Sequence, residues 1–180
     1  MEMTNDYHSH PVELPDWEKT PVVVQGQNMC IAASVEWALR YLEISKIAQV
    51  KLNAVEEDLF QFMNQWGGIN FGSAAVYLEK NYGDHVELEH LSLNKDGAGA
   101  HQKVLRLYKS IESGNVPLIS ICQSSVGGWH IVPVVRVAAP NMYVRDPNPA
   151  GPDVYEIDQI VQRHIDWPGG DDLLILTRKS

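Results

Sequence analysis

Three residues far apart in this chain have the types that activated-thiol chemistry needs: Cys30, His130 and Asp146. Cys30 stands in the run Gln25-Gly26-Gln27-Asn28-Met29-Cys30-Ile31-Ala32-Ala33, where small and polar residues lead into a helical pattern. Ile31, Val35, Ala38, Leu39 and Leu42 recur at helical spacing, which predicts a helix from Cys30 to about Leu42 with the thiol in its first turn and Asn28 as its cap. Unpaired backbone N–H groups and the dipole at a helix N-terminus favour a thiolate, the species that attacks a carbonyl carbon. A buried structural thiol is the competing reading of such a cysteine, and its partners decide between the two.

His130 opens a strongly apolar run behind Gly127-Gly128-Trp129, and Asp146 closes the next apolar run before Pro147. If the two runs form a hairpin through Ala139-Pro140-Asn141, the start of one lies beside the end of the other. Asp146 then comes next to His130, as a general base and its orienting carboxylate require. Asn148 is a spare orienter, and Asp146-Pro147-Asn148-Pro149 is also strong turn chemistry.

The surrounding pattern supplies elements to carry these residues. Residues 1–20 are expected to form an extended N-terminal arm, followed by a short strand at Pro21–Val24. Further helices are predicted over Val55–Trp66, where Trp66 is expected to fill core and Gly67-Gly68 ends the helix, and over Ser73–Tyr82 and His101–Ser113. Val86–Leu93 alternates as a half-buried strand, and Asp96–Gly99 reads as a flexible turn. Val116–Cys122, His130–Ala138, Met142–Val144 and Leu173–Thr177 are short β-rich runs, interrupted by one helix over about Glu156–Ile165. Helices first and an antiparallel sheet second define an α+β chain, with residues 21–180 as one domain.

Composition narrows the class. The chain has 180 residues, 44% of them hydrophobic and 21% charged, and suits one soluble globular domain. A net charge of −9, with no clustered Lys and Arg, argues against nucleic acid as a partner. Two cysteines make no disulfide framework, and Cys122 inside an apolar run is expected to be a buried strand thiol. No signal peptide or membrane span is legible, so the expected location is the cytoplasm, or outside the cell through a signal-peptide-independent secretion system. His8 and His10 fall short of a metal site, and no metal or organic cofactor is called for. His85, His90, His101 and His164 read as surface or structural, and Asp171-Asp172 as solvated. Trp129 is expected to shield the His–Asp pair from water, and the loops around Asn94–Gly99 and Gln123–Gly128 to form the cleft rims.

Taken together, Gln25, Cys30-Ile-Ala-Ala, Gly67-Gly-Ile-Asn-Phe-Gly-Ser, Gly128-Trp-His130 and Asp146-Pro147 resemble, in order, the papain-like cysteine peptidases. The likeness is to the compact branch that processes the double-glycine leaders of bacteriocins, and it covers roughly residues 21–177. The resemblance implies a papain-like fold, a peptide or protein substrate, Cys30 as nucleophile, His130 as base and then acid, Asp146 as orienter and an upstream Gln as oxyanion donor. The family's Gln position is held here by Val24, so Gln25 is the first candidate and Gln27 the fallback. Trp129 and Gly128 are the candidate substrate contacts. The same triad also serves a glutamine deamidase or acyltransferase, including one delivered as a secreted bacterial effector, and a catalytically silent binding module is the reading from another class.

Overall fold

The computed structural model describes residues 6–123, 128–167 and 170–180. The cleft rim expected over Gln123–Gly128 falls largely outside them, at 124–127, as does Gly127 of the double glycine. In chain order the elements are β1 (Val12–Glu13), α1 (Cys30–Tyr41), α2 (Ala54–Gln65), α3 (Phe71–Tyr82), β2 (Val86–Leu91), α4 (Gly97–Glu112), β3 (Val116–Gln123), β4 (Gly128–Ala138), β5 (Asn141–Val144), β6 (Val154–Glu156), α5 (Ile157–Asp166) and β7 (Leu173–Arg178). The strands form one sheet in the order β2-β7-β3-β4-β5-β6, with β1 added beside β4, and every pairing is antiparallel. The chain is α+β, as its sequence pattern predicts.

The centre of the sheet is covered on both faces. In β4 the consecutive residues His130 to Val135 are all buried, although strand side chains alternate between faces. One face carries α1, which packs on β4 and leans on α2; the other carries α4 and α5. Ala32, Ala33 and Ala38, each fully buried on α1, let that helix come close to the sheet. No helix among the described residues is long and apolar enough to cross a membrane.

Several local expectations are revised. Pro21–Val24 forms no ladder: Val24 C=O accepts from the Asn53 side chain, and Gln25 N–H donates to Pro147 C=O. Asn28 does not cap α1; it sits in the left-handed region (φ 61°), inside a turn closed by Met29 N–H to Gly26 C=O, which Asn tolerates well. Asp96–Gly99 is a helix start and not a loose turn, with the Asp96 carboxylate accepting Gly99 N–H at 2.8 Å. A Cβ at Gly99 would run into Asn94 C=O, so close approach accounts for that glycine. In the first twenty residues, described from Asp6, Tyr7, Val12 and Leu14 are buried against the sheet and Val12 pairs with Val137.

Candidate active site

Cys30 is the first residue of α1 and is half-buried. Four residues on, Ser34 Oγ donates to Ile131 C=O at 3.1 Å, which pins the rotation of α1 to the backbone of β4 one step past His130. The β4–β5 hairpin turns at Ala139–Pro140, as the sequence implies, with Ala138 opposite Asn141. It carries Asp146, just beyond β5, to His130 near the start of β4.

The imidazole of His130 and the carboxylate of Asp146 are both buried, and Nε2 lies 2.7 Å from Oδ1. The same Oδ1 accepts Asn148 N–H at 2.7 Å, so the Asp-Pro-Asn turn also aims the carboxylate. Burial by itself would depress the His130 pKa. Hydrogen bonds and charge from Asp146 and Cys30 outweigh it and hold the imidazole up at about 9. Cys30, His130 and Asp146 therefore come together, with Asp146 on Nε2 of the ring and Cys30 close enough to act on its charge.

Gly151 closes over that carboxylate. A Cβ there would stand 2.6 Å from Asp146 Cγ and overlap Oδ2. Gly151→Ala should push Asp146 out of line and lower the His130 pKa from about 9 towards 6.5. An NMR titration of the His130 ring reads this, and an unchanged midpoint would mean that the turn absorbs the methyl without moving Asp146.

The other candidates divide. Gln25 is part-buried beside the Asp146 corner: its N–H donates to Pro147 C=O at 3.0 Å, its Nε2 donates to Gly26 C=O at 3.4 Å, and its Oε1 is buried without a partner among the described residues. Gln27 is exposed, and Val24 is 50% exposed. Gly128 starts β4 opposite Gln123. Trp129 alternates to the face opposite His130, where its ring meets Trp167 edge-on at 5.7 Å. There it lines a small cavity with Cys122, Lys103, His164 and Asp172.

Sequence reasoning overlooked two groups of buried charge. On α1, Glu36 is fully buried, and its oxygens accept the N–H groups of Asn53, Val55 and Glu56, so it caps α2 from outside. Glu56 is 3% exposed; burial pushes its carboxyl up, against hydrogen bonds from Asn53 and Gly26 that pull it down. The one sequence signal was Asn53-x-x-Glu56, a capping-box spacing. The second group corrects the expectation of a solvated Asp171-Asp172. Asp171 accepts Phe71 N–H at the head of α3 and pairs with His90 at 2.6 Å. Asp172, 1% exposed, takes Lys95, Leu93 N–H and His164 on the other side. Cys122 is half-buried, not sealed in its strand, and Trp66 is 64% exposed, its ring stacked on Phe62 instead of filling core.

No family model matches the chain, and no curated protein matches its sequence. Among solved structures, one from Bacillus anthracis, provisionally assigned as a C39-like peptidase, superposes with a TM-score of 0.65 at 15% identity, over 94% of this chain and 98% of that one. The fold is thus that of the papain-like peptidases, in its compact C39-like form. The Pseudomonas avirulence protein AvrPphB, at 14% identity over 91% of this chain and 98% of its own, reaches a TM-score of only 0.36, too low to compare the folds.

Proposed function

We propose that this chain is a cysteine peptidase that hydrolyses a peptide or isopeptide bond through a thioester acyl-enzyme. The observation that carries this reading is one buried imidazole bonded through Nε2 to the Asp146 carboxylate at 2.7 Å, near enough to Cys30 at the head of α1 for that residue also to raise the ring's pKa. In this mechanism the Cys30 thiolate attacks the substrate carbonyl carbon. The oxyanion is held by Cys30 N–H at the head of α1 and by the Gln25 side-chain amide. His130 gives its proton to the leaving amine, then accepts one from the water that cleaves the thioester, and the acid departs with the thiolate restored. Asp146 keeps Nε2 turned to itself and Nδ1 to the thiol throughout. Each step is acid, base or nucleophile chemistry supplied by these side chains.

The test is to incubate the protein with a proteome-derived peptide library and compare intact masses against the Cys30→Ala variant. Fragments with new N-termini, absent with Cys30→Ala, are the expected result. A gain of one dalton without cleavage would assign the site to glutamine deamidation. Identical spectra from the two proteins would overturn the reading.

A further inference from the structure

We propose that Glu56 is a positioning residue for acyl transfer: it clamps the stretch Val24–Gly26 so that Gln25 faces the carbonyl attacked by Cys30, a role that rests on the peptidase reading above. Both oxygens of this buried carboxylate are taken by donors from that stretch and its neighbour. Oε2 accepts Gly26 N–H at 3.1 Å, and Oε1 accepts Asn53 Nδ2 at 3.0 Å. Asn53 Nδ2 also donates to Val24 C=O at 2.9 Å. Gln25 is therefore held on both flanks from the first turn of α2, while its own N–H is tied to Pro147 beside Asp146.

Helix α2 does not need this carboxylate for itself. Glu36 already satisfies the N–H groups of Asn53, Val55 and Glu56. A buried carboxylate is costly unless fully bonded, and here its bonds lead to the loop before the nucleophile. An amide cannot replace it, because both oxygens face N–H donors and an amide accepts at only one end. Glu56→Gln is thus nearly isosteric yet loses one of the two tethers.

Two reactions of Cys30 separate this role from a structural one. Acylation by p-nitrophenyl acetate passes through a tetrahedral oxyanion, whereas alkylation by iodoacetamide does not. Both rates are measured in a Cys122→Ser background, for Glu56→Gln, Glu56→Ala, Gln25→Ala and the Gln25→Ala/Glu56→Ala pair. Glu56→Gln and Glu56→Ala should slow acylation by about tenfold or more while alkylation stays within about twofold. The double variant should be no slower than Gln25→Ala alone. If both reactions slow together, if acylation is unchanged in Glu56→Gln, or if the two substitutions add, Glu56 is not positioning Gln25. Should parent Cys30 be acylated no faster than in His130→Ala, the peptidase reading fails and takes this role with it; fast parent acylation that Glu56→Gln leaves intact overturns Glu56 alone.

Discussion

Replacing His130 by Ala should abolish the preference of iodoacetamide for Cys30 at mildly acidic pH and slow turnover of any acyl substrate by about a thousandfold or more. The direction follows from the raised pKa. Held at about 9 by Asp146 and Cys30 against the cost of burial, the His130 ring is cationic across neutral pH and stands beside the thiol. An imidazolium beside a sulfur is the general means by which a nucleophilic thiol is activated, and the variant tests it at Cys30. Two losses are expected in the variant. The counter-charge disappears, which alkylation reads, and so does the proton donor to the leaving amine, which only turnover reads. His130→Gln controls for the loss of bulk, because the amide keeps size and a hydrogen bond to Asp146 but carries no charge and gives up no proton. It should alkylate like His130→Ala. Alkylation below pH 7 that is equally fast in wild type and His130→Ala, measured with Cys122→Ser in both, would mean that no Cys–His ion pair forms.

The residues of this pair were legible because local signals marked them. Cys30 begins an apolar periodicity, and His130 and Asp146 sit at the two ends of a hairpin whose turn, Ala139-Pro140-Asn141, is readable from residue type. Hairpin register is local, so it brings the stretch after β5 back towards the start of β4, where Asp146 Oδ1 lies 2.7 Å from His130 Nε2. The supporting carboxylates were not legible, since their partners lie far away in sequence. Glu36 reaches the backbone of residues 53–56 across the junction of α1 and α2, and nothing in the spacing of either helix announces it. Asp171 and Asp172 fail for a related reason. Adjacent acidic residues read as a solvated turn, yet at the start of a central strand alternation sends one to each face, Asp171 to α3 and Asp172 to the α4 and α5 side. Apolar periodicity shows which face is buried, but not that a charge will be buried there with its partners. Trp66 shows the converse, since a position in phase with a buried stripe falls outside the core once the helix ends at Gln65.

Asp172→Asn should destabilise the fold by about 3–5 kcal/mol, the usual cost of removing one partner from a buried ionic cluster. The substitution keeps the shape of the side chain, so the loss would be electrostatic. Asp172 is the shared counter-charge of Lys95 and of Lys103 at 4.0 Å, lies 3.4 Å from His164 Nδ1, and also accepts Leu93 N–H. Through them it joins the start of β7 to the β2–α4 connection, to α4 and to α5. Lys103 is the most exposed to the change in energy. Burial already pulls its ammonium down to about 8, with Asp172 opposing that fall, and without the carboxylate it should be neutral at pH 7. Urea denaturation at pH 7 measures the cost, and Asp172→Asn combined with Lys103→Met should recover part of it, because the second substitution removes the polar amine left buried without its carboxylate. The acid limb provides an independent check. Burial raises the Asp172 pKa, but His164, Leu93 N–H, Lys95 and Lys103 pull it down to about 2, below its ordinary 3.8. A depressed carboxylate stabilises the fold above its unfolded pKa and loses that contribution as pH falls through the folded value, so this share of wild-type stability should vanish between about pH 4 and pH 2. In Asp172→Asn that part of the acid-induced loss should be missing. A variant that costs under about 1 kcal/mol and keeps the wild-type acid slope would show that water, and not Asp172, neutralises these cations.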